Sequence, residues 1–343
     1  RYDPSGRRRA GFLSTPRRSE RVGTVKQPTT LDQQLEILRS RGMDVDESLA
    51  RQWLASVSYY RLSGYWYTYR ILPIPDDPRQ PKRLDEFIPG TTFAQVTALY
   101  EFDRKLRTLI HDGMERIEVA MRARIGELLV AKGTLSYKDS SLFREDFDHA
   151  SWFRTAQGRV ERARKRNHAI AHYAAKYDDY PFWVLADVLD FSDISQLYDG
   201  LLLDDQRAIS ESYGFTVDTE CLNAKQKRAY YHQDPLARWL EQFTVLRNTC
   251  AHHGRVWNRY LTPASSNAFL TIEKLSSLPR GQSDRLYGAL LVMAFMLTTI
   301  SPGTSWPHKV RRLIETEYLP LRNHTLKEMG FPSNWQELPL WRS

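Results

Sequence analysis

Residues 91–131 indicate the fold class of this chain most clearly, and their sequence is TTFAQVTALYEFDRKLRTLIHDGMERIEVAMRARIGELLVA. Apolar side chains recur in it every three or four positions, as they do on the buried face of an α-helix. Thr91 and Thr92 stand before the first apolar residue and supply the hydroxyl that caps a helix start. We therefore predict one long helix from Phe93 to about Ala131.

The same helical periodicity recurs along the rest of the chain. Thr29 and Thr30 are placed to cap a helix that runs through Arg39 and ends near Gly42, and a second helical stretch is expected from Asp46 to about Arg70. Alternating β-branched runs bounded by turns are hard to find, and so is a glycine-rich phosphate loop. The sequence therefore predicts an all-α fold with no parallel sheet.

Leu286–Ile300 is the longest apolar run of the chain. About 20 apolar residues are needed to cross a bilayer as a helix, so this run is short for that purpose. It is apolar on all sides and is followed by Ser301, Pro302 and Gly303, which end helices. We expect the central core helix of a bundle here, and no membrane association.

The chain has 343 residues, of which 41% are hydrophobic, and a net charge of +8 that is unevenly distributed. Residues 1–25 are rich in arginine, glycine, serine and proline, and we expect a disordered basic arm there. Such an arm can contact phosphates, although an ordinary unstructured tail has the same composition. Residues 26–90 are expected to form an N-terminal helical unit with a Pro-rich loop from Pro73 to Lys82, and residues 91–343 the main helical core.

Composition also bears on compartment and cofactors. The N-terminal residues lack the apolar segment of a secretory signal, so a cytoplasmic protein is expected. Cys221 and Cys250 are too few for a disulfide framework, and no Cys-x2-Cys pair or repeated histidine spacing points to zinc. We therefore expect no metal site and no cofactor.

The candidate active site is the hexad Arg247-Asn248-Thr249-Cys250-Ala251-His252, which closes an apolar-periodic helix. At about 100° per residue, Asn248, His252, Arg255 and Arg259 share a stripe roughly 60° wide if the helix continues past Gly254. The apolar residues Phe243, Leu246, Cys250 and Trp257 lie opposite. Arg247 and His252 are not neighbours on a straight helix, so their joint use requires the arginine to curl round or a second copy of the helix to face the first.

Such residues are suited to cleaving RNA without a metal. A histidine titrates near neutral pH and can take the proton of the 2′-hydroxyl or protonate the leaving 5′-oxygen. An arginine remains charged and offers a planar set of donors to the phosphate in the transition state. Asn248 could orient either group. The alternative is a polar helix end that carries surface Arg and His residues.

Four blocks of sequence resemble known families. Arg247-Asn248-x3-His252 resembles the R-x4-6-H motif of HEPN ribonucleases. Residues 58–65, SYYRLSGY, resemble the signature of the Abi family, the AbiD/AbiF-like group of phage abortive-infection proteins. Residues 100–107, YEFDRKLR, are similar to that family's LYxFDRxLR helix, and His172 to Trp183 form a further block in order. The resemblance extends from about Lys26 to the C-terminus.

The resemblance implies an all-α, HEPN-type helical bundle with an N-terminal accessory helical unit. It implies a homodimer in which Arg247 and His252 of paired helices meet in one ribonuclease cleft, with Asn248 positioning them. It also implies a toxin-like role in antiphage defence through growth arrest, held in check by an antitoxin, a small RNA or a conformational lock.

Residues outside the hexad are assigned as supports or as RNA contacts. Glu118 is expected to fix the tautomer of His252, with Arg255 as a second support, whereas Asp103 is expected to pair with Arg107 for structural reasons. Arg166-Asn167-x4-His172 also fits R-x4-6-H, and we interpret it as a decoy. The expected RNA contacts are Arg159, Arg162, Arg164, Lys165, Arg166, His172, Arg61 and Arg259.

Two of these assignments have plain structural alternatives. The run from Arg159 to His168 is typical of a basic helix that binds along a phosphate backbone, but a solvated surface face explains it equally well. The aromatic cluster from Tyr59 to Tyr69 can stack on unpaired bases, but core packing is the first interpretation, with Arg61 holding helix ends or a carboxylate.

The functional hypothesis is a metal-independent endoribonuclease of abortive-infection defence. Cleavage would leave a 2′,3′-cyclic phosphate and a 5′-hydroxyl. The alternative is an RNA-binding module that holds a structured noncoding RNA without cleaving it.

Overall fold

A computed structural model describes residues 27–73 and 83–342. The basic arm expected at residues 1–25, and the Pro-rich loop beyond Pro73, lie outside the described residues. The α-helices are α1 Leu31–Ser40, α2 Glu47–Val57, α3 Tyr59–Trp66, α4 Phe93–Lys132, α5 His149–Ala163, α6 His168–Lys176, α7 Phe182–Ala186, α8 Phe191–Gly200, α9 Leu203–Ser212, α10 Ala224–His232, α11 Leu236–Ala251, α12 Leu286–Ile300 and α13 Trp306–Leu313.

The remaining regular structure is short. Two-residue strands, β1 Ala264–Ser265 and β2 Gln282–Ser283, pair antiparallel. Single 3-10 turns occur at Tyr67–Tyr69, Ser136–Lys138, Ser140–Leu142, Thr219–Cys221, Phe269–Thr271, Glu273–Leu275, Leu326–Met329 and Trp335–Glu337, and a π-helical turn at Ile314–Tyr318. The prediction of an all-α fold is confirmed.

Helix α4 is the axis of the bundle and follows the prediction closely. Thr92 accepts a hydrogen bond from the backbone N–H of Gln95, whose side chain bonds back to the Thr92 N–H, so both groups of a capping box are present. Gly113 permits close packing in the middle of the helix, because a Cβ there would stand 2.9 Å from the Trp306 ring. α13, which carries Trp306, therefore lies directly against α4.

Helix α12 has the predicted bounds and the predicted role. Every residue from Leu286 to Leu297 is buried, and the helix packs on α4 and α11. The apolar run is thus core because it is surrounded by other helices. Within the described ranges, no helix combines the length and the apolar character needed to cross a membrane.

The helical stretch expected from Asp46 to Arg70 is wrong in one respect, because it is broken at Ser58. Asp46 caps α2 through the N–H of Leu49, and the chain then turns at Ser58, which adopts a φ of +75°. The Ser58 hydroxyl accepts from the N–H of Arg61 and starts α3. Serine does not interrupt helices as strongly as glycine or proline does, so the sequence pattern predicts a continuous helix across Ser58. The break gives α3 its own direction, against α4.

A small hydrophobic cluster is formed by Leu222, Tyr230 and Ala268, and most of the described helices share one large hydrophobic cluster. The large cluster extends from Leu35 in α1 to Trp341 near the C-terminus, and α4, α11 and α12 contribute much of it. Leu62, Tyr65 and Trp66 of α3 are buried in this same cluster. The N-terminal helices thus share the core of the main bundle, and α3 lies close to the end of α11.

Candidate functional site

The hexad belongs to the last turns of α11, whose N-terminal end is fixed by a buried carboxylate. Asp234 accepts hydrogen bonds from the N–H of Leu236 at 2.8 Å, the Ser210 hydroxyl at 2.8 Å and the Tyr198 hydroxyl at 3.0 Å. Burial raises the pKa of Asp234, although these donors oppose the increase. Phe243 and Leu246 of α11 are fully buried. The helix is therefore held rigidly below the hexad.

The helix ends at Ala251, so the condition for a four-residue polar stripe, a helix that continues past Gly254, is not met. His252 is the C-cap residue, His253 adopts a φ of +55°, and the N–H of Gly254 bonds to the Thr249 carbonyl at 2.8 Å. A Cβ at Gly254 would stand 3.0 Å from the Thr249 methyl and 3.1 Å from its carbonyl oxygen, so any other residue would crowd the turn. Asn248 and His252 keep their shared face, but Arg255 and Arg259 do not belong to that stripe.

A buried carboxylate on α4 holds the turn that follows His252. The Oδ1 atom of Asp103 accepts from the N–H groups of Val256 at 3.2 Å and Trp257 at 2.7 Å. Its Oδ2 atom accepts from the Tyr65 hydroxyl at 2.6 Å and pairs with Arg107. Burial raises the pKa of Asp103, against the pull of the Arg107 charge. The expected Asp103–Arg107 pair is thus confirmed, and it also fixes the backbone beside His252.

Helix α3 contacts the same turn from another side. Arg61 donates to the His253 carbonyl at 2.6 Å, and Arg255 reaches back to the Gly64 carbonyl. The structural interpretation of Arg61, as a residue that holds a helix end, is confirmed by this contact. The family-like blocks at residues 58–65 and 100–107 therefore converge on the backbone just after His252. Sequence reasoning missed this, since these residues are more than a hundred positions apart in the chain.

Arg247 is oriented by two neighbours. Its Nε lies 3.6 Å from the Glu118 carboxylate, whose other oxygen bonds to Arg122 at 2.7 Å. Its Nη1 donates to the Asn248 side-chain oxygen at 3.3 Å. Asn248 lies between Arg247 and His252 around the helix. The hydrogen bond to Asn248 therefore directs the Arg247 guanidinium toward the side of the helix that carries His252. Glu118 was expected to contact His252 and fix its tautomer, but it contacts Arg247 instead.

The histidine side chain is open to solvent. His252 and Asn248 are both exposed, and 32% of the Arg247 side chain is accessible. For the described residues, no side-chain hydrogen bond to the His252 ring is found. The imidazole of His252 and the anchored guanidinium of Arg247 are therefore both accessible from solvent at the end of α11.

The basic run from Arg159 to His168 does not form a continuous helix, so the expected basic helix is wrong. α5 ends at Ala163, and Asn167 caps α6 by accepting from the Ile170 N–H at 3.1 Å. Arg159 is bound by the Asp193 carboxylate at 2.8 and 3.2 Å and by Asp190, so it serves structure. Of the expected RNA contacts, the residues that stay exposed are Arg61, Arg162, Arg164, Lys165, Arg166, His172 and Arg259.

Asn167 acts as a cap, which explains the second R-x4-6-H match without chemistry. Arg166 lies in the turn before α6 and His172 within α6, so this match does not repeat the helix-end geometry of the hexad. Burial raises the pKa of the Cys250 thiol to about 12, which leaves it protonated and inert. Among residues 27–73 and 83–342, no cluster of three or more His, Cys, Asp or Glu side chains is arranged to hold a metal ion.

Comparison with known proteins gives one match. The sequence model of the family described as Abi-like protein matches residues 52–258, a range that includes α3, most of the bundle and the hexad. No curated protein and no solved structure matches the chain.

Proposed function

The chain belongs to the Abi-like protein family, and from that premise we propose that it is a metal-independent endoribonuclease acting in abortive-infection defence. The observation that carries the proposal is the convergence of Asp103, Arg107 and Arg61 on the turn after His252. Breaking a buried, hydrogen-bonded charged pair is strongly destabilising, so such a pair holds the backbone that it contacts. Here it fixes the backbone that follows the exposed His252.

In the proposed reaction, the 2′-hydroxyl of RNA attacks the adjacent phosphorus and the bond from phosphorus to the 5′-oxygen breaks. His252 exchanges the proton, as base toward the 2′-hydroxyl or as acid toward the leaving oxygen. Arg247 binds the phosphate oxygens and stabilises the charge that develops on them. Asn248 is hydrogen-bonded to Arg247 and positions the Arg247 and His252 side chains relative to each other. The products carry a 2′,3′-cyclic phosphate and a 5′-hydroxyl.

The proposal includes a homodimer, with a second copy of this chain seated beside Arg247. Val119 and Trp183 are 58% and 53% exposed and line a groove between α4 and α7. Val119 follows Glu118, which contacts Arg247, so a copy docked there lies next to the site. Sedimentation of the Val119→Asp variant tests this surface: we expect monomers with reduced cleavage. A dimer unchanged by the substitution would exclude this face.

The second candidate function is an RNA-binding module without turnover. It is favoured by the exposed basic turn of Arg164, Lys165 and Arg166, which can neutralise phosphates without any help from His252. The two functions differ in what His252→Ala does. The enzyme loses cleavage and toxicity while keeping RNA affinity, whereas the binding module shows no cleavage to lose.

Expression in bacterial cells tests the proposal. Wild type is compared with Arg247→Ala and His252→Ala, growth is scored, and cellular RNA is sequenced for new 5′-hydroxyl ends. We expect growth arrest with new ends for wild type alone. If wild type, including under phage challenge, produces none, the binding module becomes the better description.

A further inference from the structure

The aromatic cluster of α3 divides into a buried and an exposed part. Tyr65, Trp66 and Tyr69 are buried, and Tyr59 packs edge-on against Trp66 with ring centres 4.7 Å apart. Tyr60, by contrast, is 89% exposed, and Tyr67 at the end of the helix is 40% exposed. Core packing explains the first group but not the exposure of Tyr60, while the Arg70 guanidinium lies 5.8 Å from the centre of the Tyr67 ring.

The two exposed tyrosines lie on one face of the helix. Tyr60, Gly64 and Tyr67 are spaced at i, i+4 and i+7, and the rise of about 1.5 Å per residue separates the tyrosines by roughly 10 Å along the axis. Between them Arg255 crosses to the Gly64 carbonyl, and its guanidinium lies 4.0 Å from where a Gly64 Cβ would be. We call Tyr60, Gly64, Tyr67 and Arg255 the α3 platform.

The platform is attached to the candidate active site. Arg61, the residue after Tyr60, donates to the His253 carbonyl at 2.6 Å, and Arg255 belongs to the same turn. Two aromatic rings with a guanidinium between them, next to the end of α11, match the way proteins hold unpaired bases. In such sites bases stack on aromatic faces and on arginine planes, while the cations attract the backbone.

We propose that the α3 platform binds unpaired nucleotides of the RNA strand beside the scissile phosphate, with Tyr60 and Tyr67 each stacking on a base. This inference rests on the proposed ribonuclease function and adds its substrate class, single-stranded RNA. The rings are far enough apart for each to take a separate base. A duplex cannot use them, because its bases are already stacked.

The test measures RNA affinity in the His252→Ala protein, which leaves the probe intact. The probes are a short fluorescent single-stranded oligoadenylate and a blunt RNA duplex of equal length. Tyr60→Ala and Tyr67→Ala are each expected to weaken single-strand binding roughly 5- to 150-fold, the loss found for one stacked base. Tyr60→Phe keeps the ring and is expected to keep the affinity.

Two controls separate stacking from folding and from charge. Tyr231→Ala, on α10, removes a tyrosine of similar exposure, 56%, and is expected to bind like the parent. Since tyrosine carries no charge, the alanine variants are expected to shift the plot of log affinity against log salt without changing its slope. Arg255→Ala is expected to reduce the slope.

The outcomes distinguish this inference from the function beneath it. If wild type cleaves RNA but the Tyr60 and Tyr67 variants bind as the parent does, the platform is refuted and the ribonuclease stands. Equal losses for duplex and single strand also refute it. If the parent protein binds neither probe and wild type cleaves nothing, both proposals fall together.

Discussion

Asp103→Asn is the substitution that most directly probes how the site is built. The carboxylate uses Oδ1 for the Val256 and Trp257 N–H groups and Oδ2 for the Tyr65 hydroxyl and Arg107. An asparagine has one acceptor oxygen, so it can satisfy one of these two sets and must turn its amide N–H toward donors of the other.

The expected magnitude follows from burial. The Asp103 side chain is 0% exposed and that of Arg107 6%, so the substitution leaves an unpaired cation inside the protein. Removing one partner of a buried pair costs about 3–5 kcal/mol, a large share of a typical folding free energy of about 5–15 kcal/mol. Asp112→Asn breaks an exposed pair with Arg116 on the same helix and is expected to cost about 0–1 kcal/mol.

The assay is denaturant unfolding of both variants beside wild type, followed by RNA cleavage under conditions where each is folded. A double variant, Asp103→Leu with Arg107→Met, is expected to recover only the part of the lost stability that comes from the unpaired Arg107 charge, because apolar pairs replace buried ion pairs well. It is not expected to recover cleavage, since the Val256 and Trp257 N–H groups still lack an acceptor. Equal unfolding midpoints for Asp103→Asn and Asp112→Asn would refute the assigned role of Asp103.

Three further predictions concern the residues around the site and the C-terminal packing. Glu118→Gln removes the charge that holds Arg247, so cleavage is expected to fall severalfold in single-turnover assays while the fold is kept. Gly254→Ala is expected to destabilise the protein by about 1–3 kcal/mol through crowding, whereas Gly158→Ala, in open space on a helix, is expected to stabilise it by about 0.5–1 kcal/mol. Burial favours a raised pKa for Glu328, but hydrogen bonds from neighbouring side chains hold it below 4.5. The ionised Glu328 carboxylate therefore contributes its full stabilisation above pH 4.5, and this stabilisation is lost as the pH falls through the lowered pKa. Denaturant unfolding of wild type and Glu328→Gln at several pH values measures this dependence.

Each of these has a result that would contradict it. Glu127→Gln, at an exposed pair on α4, is the control for Glu118, and equal activity of the two variants would remove the positioning role. Equal stability of the two glycine variants would mean that the turn at Gly254 relaxes freely. A Glu328→Gln stability deficit that persists unchanged at low pH would mean that the carboxylate charge plays no part.

Local signals were sufficient for the helices that carry them. Thr92 and Gln95 form the capping box that starts α4, and the uniform apolar run predicts the bounds of α12. In contrast, the break at Ser58 depends on a positive φ that its hydroxyl cap and the packing of α3 stabilise. Such a break is decided by tertiary contacts, which a local pattern does not contain.

The candidate site was found by resemblance, but its construction was not predictable from spacing. The turn that follows α11 is held by Asp103, which lies more than 150 residues upstream of Trp257 along the chain. Because the helix stops at Ala251, Arg255 turns toward Gly64 instead of extending the polar stripe. Likewise, Arg159 was expected to contact RNA because the basic run around it does not show its pairing with Asp193, which is distant in sequence.

Cleavage by the purified protein tests the central claim most directly. Single-stranded RNA is incubated with wild type, Arg247→Ala, His252→Ala and His253→Asn in the presence of a chelator, and the fragment ends are identified by mass spectrometry. His253→Asn is the matched control, because asparagine accepts the left-handed backbone at that position. We predict 2′,3′-cyclic phosphate and 5′-hydroxyl ends from wild type and His253→Asn, and none from the other two. Cleavage that survives His252→Ala, or that requires a divalent metal, would contradict the proposed mechanism.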